Sequence, residues 1–178
     1  MGGQLTECFT KHGHGRMWYN KDGFSFSKYY FGPFSHKLKR EAWRMKGVFH
    51  RENDQPAIIT YHTDGTLRSE KWYNHGHLHR ENDQPAWKEY AVSQYGTWKR
   101  EEWYKDGTRY ARENDEPSII EWRNDRIVEK TWCKDVEFYR ENNKPSLVYY
   151  KTDGTITEMW WKGNHFTTEP PSKDHKSV

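Results

Sequence analysis

Cysteine is almost missing from this chain: Cys8 and Cys133 are the only two among 178 residues. Two thiols cannot build the framework that staples small secreted domains, so a disulfide-rich scaffold is excluded. Long apolar runs are missing as well. Nothing approaches the about 20 apolar residues a membrane-spanning helix needs, no amphipathic helix is there to lie on a lipid surface, and the opening MGGQLTECF lacks the apolar core of a signal peptide. These absences predict a cytoplasmic chain with no membrane partner. An excess of one charge is lacking: 29 Lys and Arg against 26 Asp and Glu give +3, with both signs interleaved, which argues against nucleic-acid binding by net field. There is no glycine-rich phosphate loop, nucleophile elbow or Cys–His pair at a recognisable spacing, so the chain reads as non-enzymatic and without a cofactor. Gly2 and Thr6 fit the M-G-x-x-x-[ST] pattern for N-myristoylation, a match too short to carry weight.

What is abundant is aromatic surface. Only 33% of the chain is hydrophobic, yet 17% is aromatic, with ten Trp and twelve Tyr. Each large ring can bury on the order of 150–250 Å², so a thin aromatic core can order a chain whose charge alone would suggest disorder.

The second abundance is repetition. HRENDQP occurs at 50–56 and again at 79–85, with ARENDEP at 111–117 and YRENNKP at 139–145. The arginines Arg51, Arg80, Arg112 and Arg140 fall 29, 32 and 28 residues apart, a period that marks an array of supersecondary units. A tryptophan column, Trp43, Trp72, Trp103, Trp132 and Trp161, keeps nearly the same period, with Glu41, Glu70, Glu101, Glu129 and Glu158 just upstream. Thr-Asp-Gly-Thr lies between β-branched and aromatic runs at 63–66 and 152–155. Asp-Gly in that setting is a strong hairpin signal, read here as a type I′ turn. Strands are expected at 58–61, 119–122 and 147–150, each paired with a following strand that carries the Glu-x-Trp run. Turns at Asn74-His75-Gly76 and Lys105-Asp106-Gly107 would then hand the chain to the next END-x-P, an irregular corner in which Pro cannot donate and Asn and Asp satisfy local backbone.

The fold expected is all-β: an antiparallel meander of about five stacked hairpin repeats, aromatic-cored, in a single elongated domain. Residues 1–37 form a divergent N-terminal cap with a first hairpin turning at Asp22-Gly23, residues 38–168 the repeats, and residues 169–178 a disordered tail. The corner arginines should form a ladder against the Glu and Trp columns.

The pattern R-E-N-D-x-P-A, a Tyr-ending strand, a D-G turn and E-x-W-Y-x-x-G resembles the divergent MORN-type repeats of bacterial proteins of the so-called antitoxin class, large DNA viruses and bacteriophages. It covers residues 38–166 clearly and 11–37 loosely. MWYNKDG and EWYKDG are the parts shared with MORN repeats generally, while HRENDQPA is more typical of the viral and phage versions. Val136 replaces a glycine, and YAVSQYGTW carries inserted residues, which puts both turns in doubt. The resemblance implies a hairpin-repeat fold and a binding role, with a host factor as partner in a viral or phage setting, and it supplies no mechanism.

Among candidate sites, His75, His77 and His79 alternate and would project to one face of a strand, but three ligands on one short strand suit a tetrahedral metal poorly. Glu52 with Asp54 and Glu81 with Asp83 sit in identical corners, which cannot set two carboxyls apart as acid and base, and a hard cation needs more oxygens than they offer. Cys133 reads as a small core filler. The binding candidates are Trp87, Trp98 and Trp122, which lie off the tryptophan column, with Arg123 and Arg126, because Trp and Arg dominate protein-binding hot spots. The alternative is a nucleic acid, nucleotide or sugar ligand stacked on Trp87, Trp98 and Trp103, with Lys88, Lys99, Arg100, Lys105 and Arg109 clustered beside them. Unpaired edge strands would allow a homodimer.

Overall fold

A computed structural model describes residues 4–10, 13–32, 34–135, 137–162 and 164–170. The strands are β1 (Gln4–Thr10), β2 (Gly13–Tyr19), β3 (Phe24–Tyr30), β4 (Leu38–Met45), β5 (Val48–Phe49), β6 (Ile58–Tyr61), β7 (Leu67–Lys71), β8 (Tyr73–Asn74), β9 (His77–Leu78) and β10 (Trp87–Ser93). They continue with β11 (Gly96–Glu102), β12 (Tyr104–Lys105), β13 (Thr108–Arg109), β14 (Ile119–Arg123), β15 (Arg126–Thr131), β16 (Cys133–Lys134), β17 (Glu137–Phe138), β18 (Leu147–Tyr150), β19 (Ile156–Lys162) and β20 (His165–Thr167). The long strands form one antiparallel meander, β1-β2-β3-β4-β6-β7-β10-β11-β14-β15-β18-β19-β20, with β5 on β4. The fold is all-β, and no helix is long and apolar enough to cross a membrane among the described residues. The predicted tail falls mostly on residues 171–178, which lie outside the described residues, as does Val136.

Each unit is a long hairpin followed by a short one. The long turns at 62–66 and 151–155 are not type I′. Only Gly65 and Gly154 take positive φ, and the bonds His62 N to Thr66 O (2.9 Å) and Gly65 N to His62 O (3.0 Å) define a three-residue turn closed by a glycine bulge. Asp64 holds this turn by accepting from Thr66 N at 2.9 Å. Type I′ geometry instead closes the short hairpins, at Lys46-Gly47, His75-Gly76 and Asp106-Gly107, where both residues have positive φ. The END-x corners are equally regular: Asn82-Asp83, Asn114-Asp115 and Asn142-Asn143 all have positive φ, with a 3.3 Å bond closing each turn from the fourth residue to the first. Asn and Asp recur there because they tolerate the left-handed region.

The short hairpins make a second row. Gly76 N donates to Phe49 O, Gly107 N to Leu78 O and Asp135 N to Arg109 O, at 2.9, 2.9 and 2.8 Å. Beneath them, register places Ser27, Ala42, Ile58, Lys71, Trp87, Glu102, Ile119, Thr131, Leu147 and Met159 in one cross-strand line on a single face. Ser27, Ala42, Ile58, Glu102, Ile119, Thr131 and Leu147 in that line are buried. Trp72, Ala86 and Tyr104 form the centre of this core, with Leu78 and Trp87 against it.

The residue after each corner proline is small and buried: Ala57, Ala86, Ser118 and Ser146. Trp43, Trp72, Trp103 and Trp132 donate their backbone N–H to these four carbonyls at 2.8–2.9 Å, which ties each corner to the tryptophan column.

The arginines bind the corners together. Arg51, Arg80, Arg112 and Arg140 lie 3.6, 3.9, 4.0 and 3.6 Å from the ring centroids of Trp43, Trp72, Trp103 and Trp132, a cation–π geometry. Their carboxylate partners are not the Glu column but Asp54, Asp83 and Asp115 of the preceding corners, each clasped by Nε and Nη2 of Arg80, Arg112 and Arg140 at 2.7–2.9 Å. The glutamates miss because Glu41, Glu70 and Glu101 point from the face opposite the buried line, where Tyr61 and Tyr90 donate to Glu41 and Glu70 at 2.7 and 3.1 Å. Glu129 is off by one residue, and Lys130 stands in its place in the register.

The last column tryptophan is Trp160, not Trp161. Its Nε1 donates to Asn143 O at 2.9 Å, as Trp72, Trp103 and Trp132 do to Asp54, Asp83 and Asp115 O. Trp161 packs instead on Phe138 and Phe166, with centroids 5.1 and 5.0 Å away. The register of β6 with β7 shifts by one residue at Thr60/Tyr61, whereas β18 with β19 runs without a shift, so the last unit is one residue shorter.

Side-chain bonds from Arg140 hold the Asp115 carboxyl at about 2, below its ordinary 3.8, with Lys144 adding to the effect; Arg80 and Arg112 depress Asp54 and Asp83 in the same direction. A carboxyl depressed in the folded state stabilises above its unfolded pKa, and that contribution disappears as pH falls through the folded value. Stability should therefore decline between pH about 4 and about 2 in acid titrations followed by circular dichroism, and Asp115→Asn should flatten the decline. An identical acid limb in the variant would count against the corner pairs as its source.

Candidate protein-binding surface

The binding candidates separate into three environments. Trp87 lies in the buried line, with the Lys71 ammonium 3.6 Å from its ring and its Nε1 buried without a hydrogen-bond partner among the described residues. Burial pulls the Lys71 pKa down. Trp122 stands on the opposite face beside Lys99, whose Nζ is 3.9 Å from the ring. Trp98, Arg123 and Arg126 form one cross-strand row, Ala91–Trp98–Arg123–Arg126, at the open end of the sheet. The structure thus brings three of the five together, and Trp87 and Trp122 are not part of that group.

The same end carries two residues that sequence reasoning missed. β10 and β11 extend to seven residues each, and their tip presents Val92 and Tyr95 at 72% and 85% exposure. The inserted YAVSQYGTW is what lengthens this hairpin, and it was the signal available. The tip is tied to its neighbour: Asn124 N donates to Thr97 O at 3.0 Å and Thr97 N to Asn124 Oδ1 at 2.9 Å. Gly96, at φ +116°, is required here, since a Cβ would come within 1.9 Å of Asn124 Oδ1.

Glu121 and Glu102 brace the base. Trp98 Nε1 donates to Glu121 at 3.3 Å, Arg100 bridges Glu121 and Glu102, and Arg109 and Tyr104 add bonds to Glu102 at 2.9–3.0 Å. Burial alone would raise the Glu102 carboxyl, but Arg100 and Arg109 outweigh it and hold it low.

The cations of the stacking alternative are split between faces, and Lys105 is exposed. Lys88 and Lys99 pair with Glu101 on one face, while Arg100 and Arg109 pair with Glu102 on the other. The histidines do not converge either. His75 sits in a turn at φ +46° with its Nδ1 2.6 Å from Asn74 Oδ1, so it is not on a strand with His77. His79 is buried, its Nδ1 accepting from Asp106 N and its Nε2 facing Glu81 at 2.9 Å. No metal-binding cluster occurs among the described residues. Cys133 is buried and desolvation pushes its thiol up to about 11, so it is a poor nucleophile. No family model, curated protein or solved structure matches this chain.

Proposed function

We propose that the chain is a non-enzymatic repeat scaffold that binds another protein through the open end of β10, β11, β14 and β15. One observation carries this reading: at the open end of the sheet a tip fixed by Asn124 displays Tyr95, with Val92 exposed on one face and the row Trp98, Arg123 and Arg126 on the other. Apolar and aromatic side chains held out from a rigid base, with arginines at the rim, match the composition of binding hot spots. The repeat pattern extends the proposal to a MORN-type array in the cytoplasm, with a host factor as the class of partner in a viral or phage setting. The sheet edges at β1 and β20 offer a ladder to a second copy.

The test is affinity capture from native or infected cells with the wild type and a Val92→Ser/Tyr95→Ser/Arg123→Ala variant. Exposed substitutions change stability by about 0.5 kcal/mol or less each, so the variant should keep its melting temperature and lose its protein partner. Equal recovery by both would sink this surface. Retention of nucleic acid that weakens steeply with salt would support the stacking alternative instead.

A further inference from the structure

Three of the four corner arginines are complete. Asp54, Asp83 and Asp115 each take three hydrogen bonds from the next repeat: two on the carboxylate from Nε and Nη2 of Arg80, Arg112 or Arg140, and one on the backbone carbonyl from the indole of Trp72, Trp103 or Trp132. Arg51 has only the inner half of this arrangement. It stacks 3.6 Å from the Trp43 ring and donates Nη1 to Pro56 O at 3.2 Å. Neither its Nε and Nη2 nor the Trp43 indole N–H meets an acceptor among the described residues, because Trp43 belongs to the first unit and no corner precedes it.

The space is open. A cleft of about 460 Å³ lies before Trp43 and Arg51, walled by Trp18, Phe24 and Phe26 of the β2–β3 hairpin and by Asn53. The same corner residues one unit later, Trp72, Arg80 and Asn82, face a cleft whose other wall is formed by Arg51, Asp54 and Gln55. Hairpin β2–β3 thus stands where a preceding corner would, offering rings and no carboxylate. Burial pulls the Arg51 guanidinium below its usual value, with Glu41 opposing.

We propose that this cleft is a second binding site, separate from the β10–β11 tip, for an acidic turn of a partner protein. An aspartate of that turn bridges Nε and Nη2 of Arg51, and its backbone carbonyl accepts the Trp43 indole N–H. The chain holds three worked examples of this ligand in its own corners, each a turn with left-handed Asn and Asp. A second copy of the chain is a poor occupant. Asp54, Asp83 and Asp115 are already clasped within their own chain, and the last corner carries the neutral Asn143, which offers no carboxylate to Arg51. The array is therefore closed at its last corner and open at its first.

The probe is a backbone-cyclised peptide containing Glu-Asn-Asp-Gln-Pro, compared with the same ring carrying Asn for Asp, titrated into the full chain. The readout is the Trp43 indole N–H resonance, assigned with Trp43→Phe. The Asp ring should shift that resonance and bind at least about tenfold more tightly than the Asn ring, because only the carboxylate makes the charge-assisted pair. Arg51→Gln should erase the difference between the rings, and Arg51→Lys should keep part of it. Equal affinities of the two rings for the wild type overturn the proposal without reliance on any variant's fold. Arg51-dependent self-association in sedimentation would also overturn it, by making a second copy the occupant. Loss of the tip surface leaves this comparison unchanged, so the two readings fail separately.

Discussion

Trp103→Ala is expected to lower the thermal midpoint by about 6–20 °C. Trp103 is 5% exposed. Its indole donates to Asp83 O at 2.9 Å, its backbone N–H to Ser118 O at 2.9 Å, and the Arg112 guanidinium lies 4.0 Å from its ring. Truncating a buried tryptophan costs about 3–5 kcal/mol through lost burial and the cavity left behind. For a chain of this length each kcal/mol moves the midpoint by about 2–4 °C. The lesion also frees Arg112 and the Asp83 carbonyl, which connect one unit to the previous one. In an array stabilised by nearest-neighbour contacts, a broken central contact should broaden the transition as well as lower it. Scanning calorimetry with Tyr95→Ser as the control checks this, since that side chain is exposed. Equal midpoints for the two variants would refute the column's role in joining successive units.

The second large effect is expected at Glu102. This carboxylate is 3% exposed and is bonded by Arg100, Arg109 and Tyr104. Glu102→Ala leaves the half-buried Arg109 without a counter-charge and Arg100 with Glu121 alone, and removing one partner of a buried ionic group costs about 3–5 kcal/mol. Replacing Glu102, Arg100 and Arg109 together by leucine should recover much of the loss, because the strandedness of the charges, not their attraction, dominates. Denaturant unfolding of the single and triple variants measures both. If the single variant unfolds like the wild type, the carboxylate is not the counter-charge of this layer. Glu102 has a lowered pKa, so its contribution is present above the unfolded glutamate value and is lost as pH falls through the folded one. Glu102→Gln should accordingly remove part of the acid sensitivity.

Much of this architecture was legible in the residues. The repeats, the hairpin strands and the turn residues follow from local chemistry: Asn, Asp and Gly appear where backbone must be left-handed, and Pro where no ladder donor is needed. Arg stacking on the preceding Trp was legible for the same reason, since eight or nine residues separate the two in every unit. The Asp partner was not legible. Glu41, Glu70 and Glu101 lie nearer in sequence to the tryptophans, but strand alternation aims them away from the arginines. For the proposed binding surface, Trp98, Arg123 and Arg126 could be picked as off-column residues, whereas nothing local told Trp87 in the core line from Trp98 at the open end.

The sequence by itself determined that this chain is a chain of copied hairpins, and it named the small residue, the indole and the guanidinium that each copy needs. Only the tertiary structure decided that Trp160 and not Trp161 closes the column, that Glu129 leaves its column, and that the short hairpins form a second layer over Glu102. The reason is the two-residue period of a strand. A single bulge gained or lost between two landmarks sends every later side chain to the other face, and whether a bulge forms is settled by packing across the sheet, which no window of neighbouring residues contains.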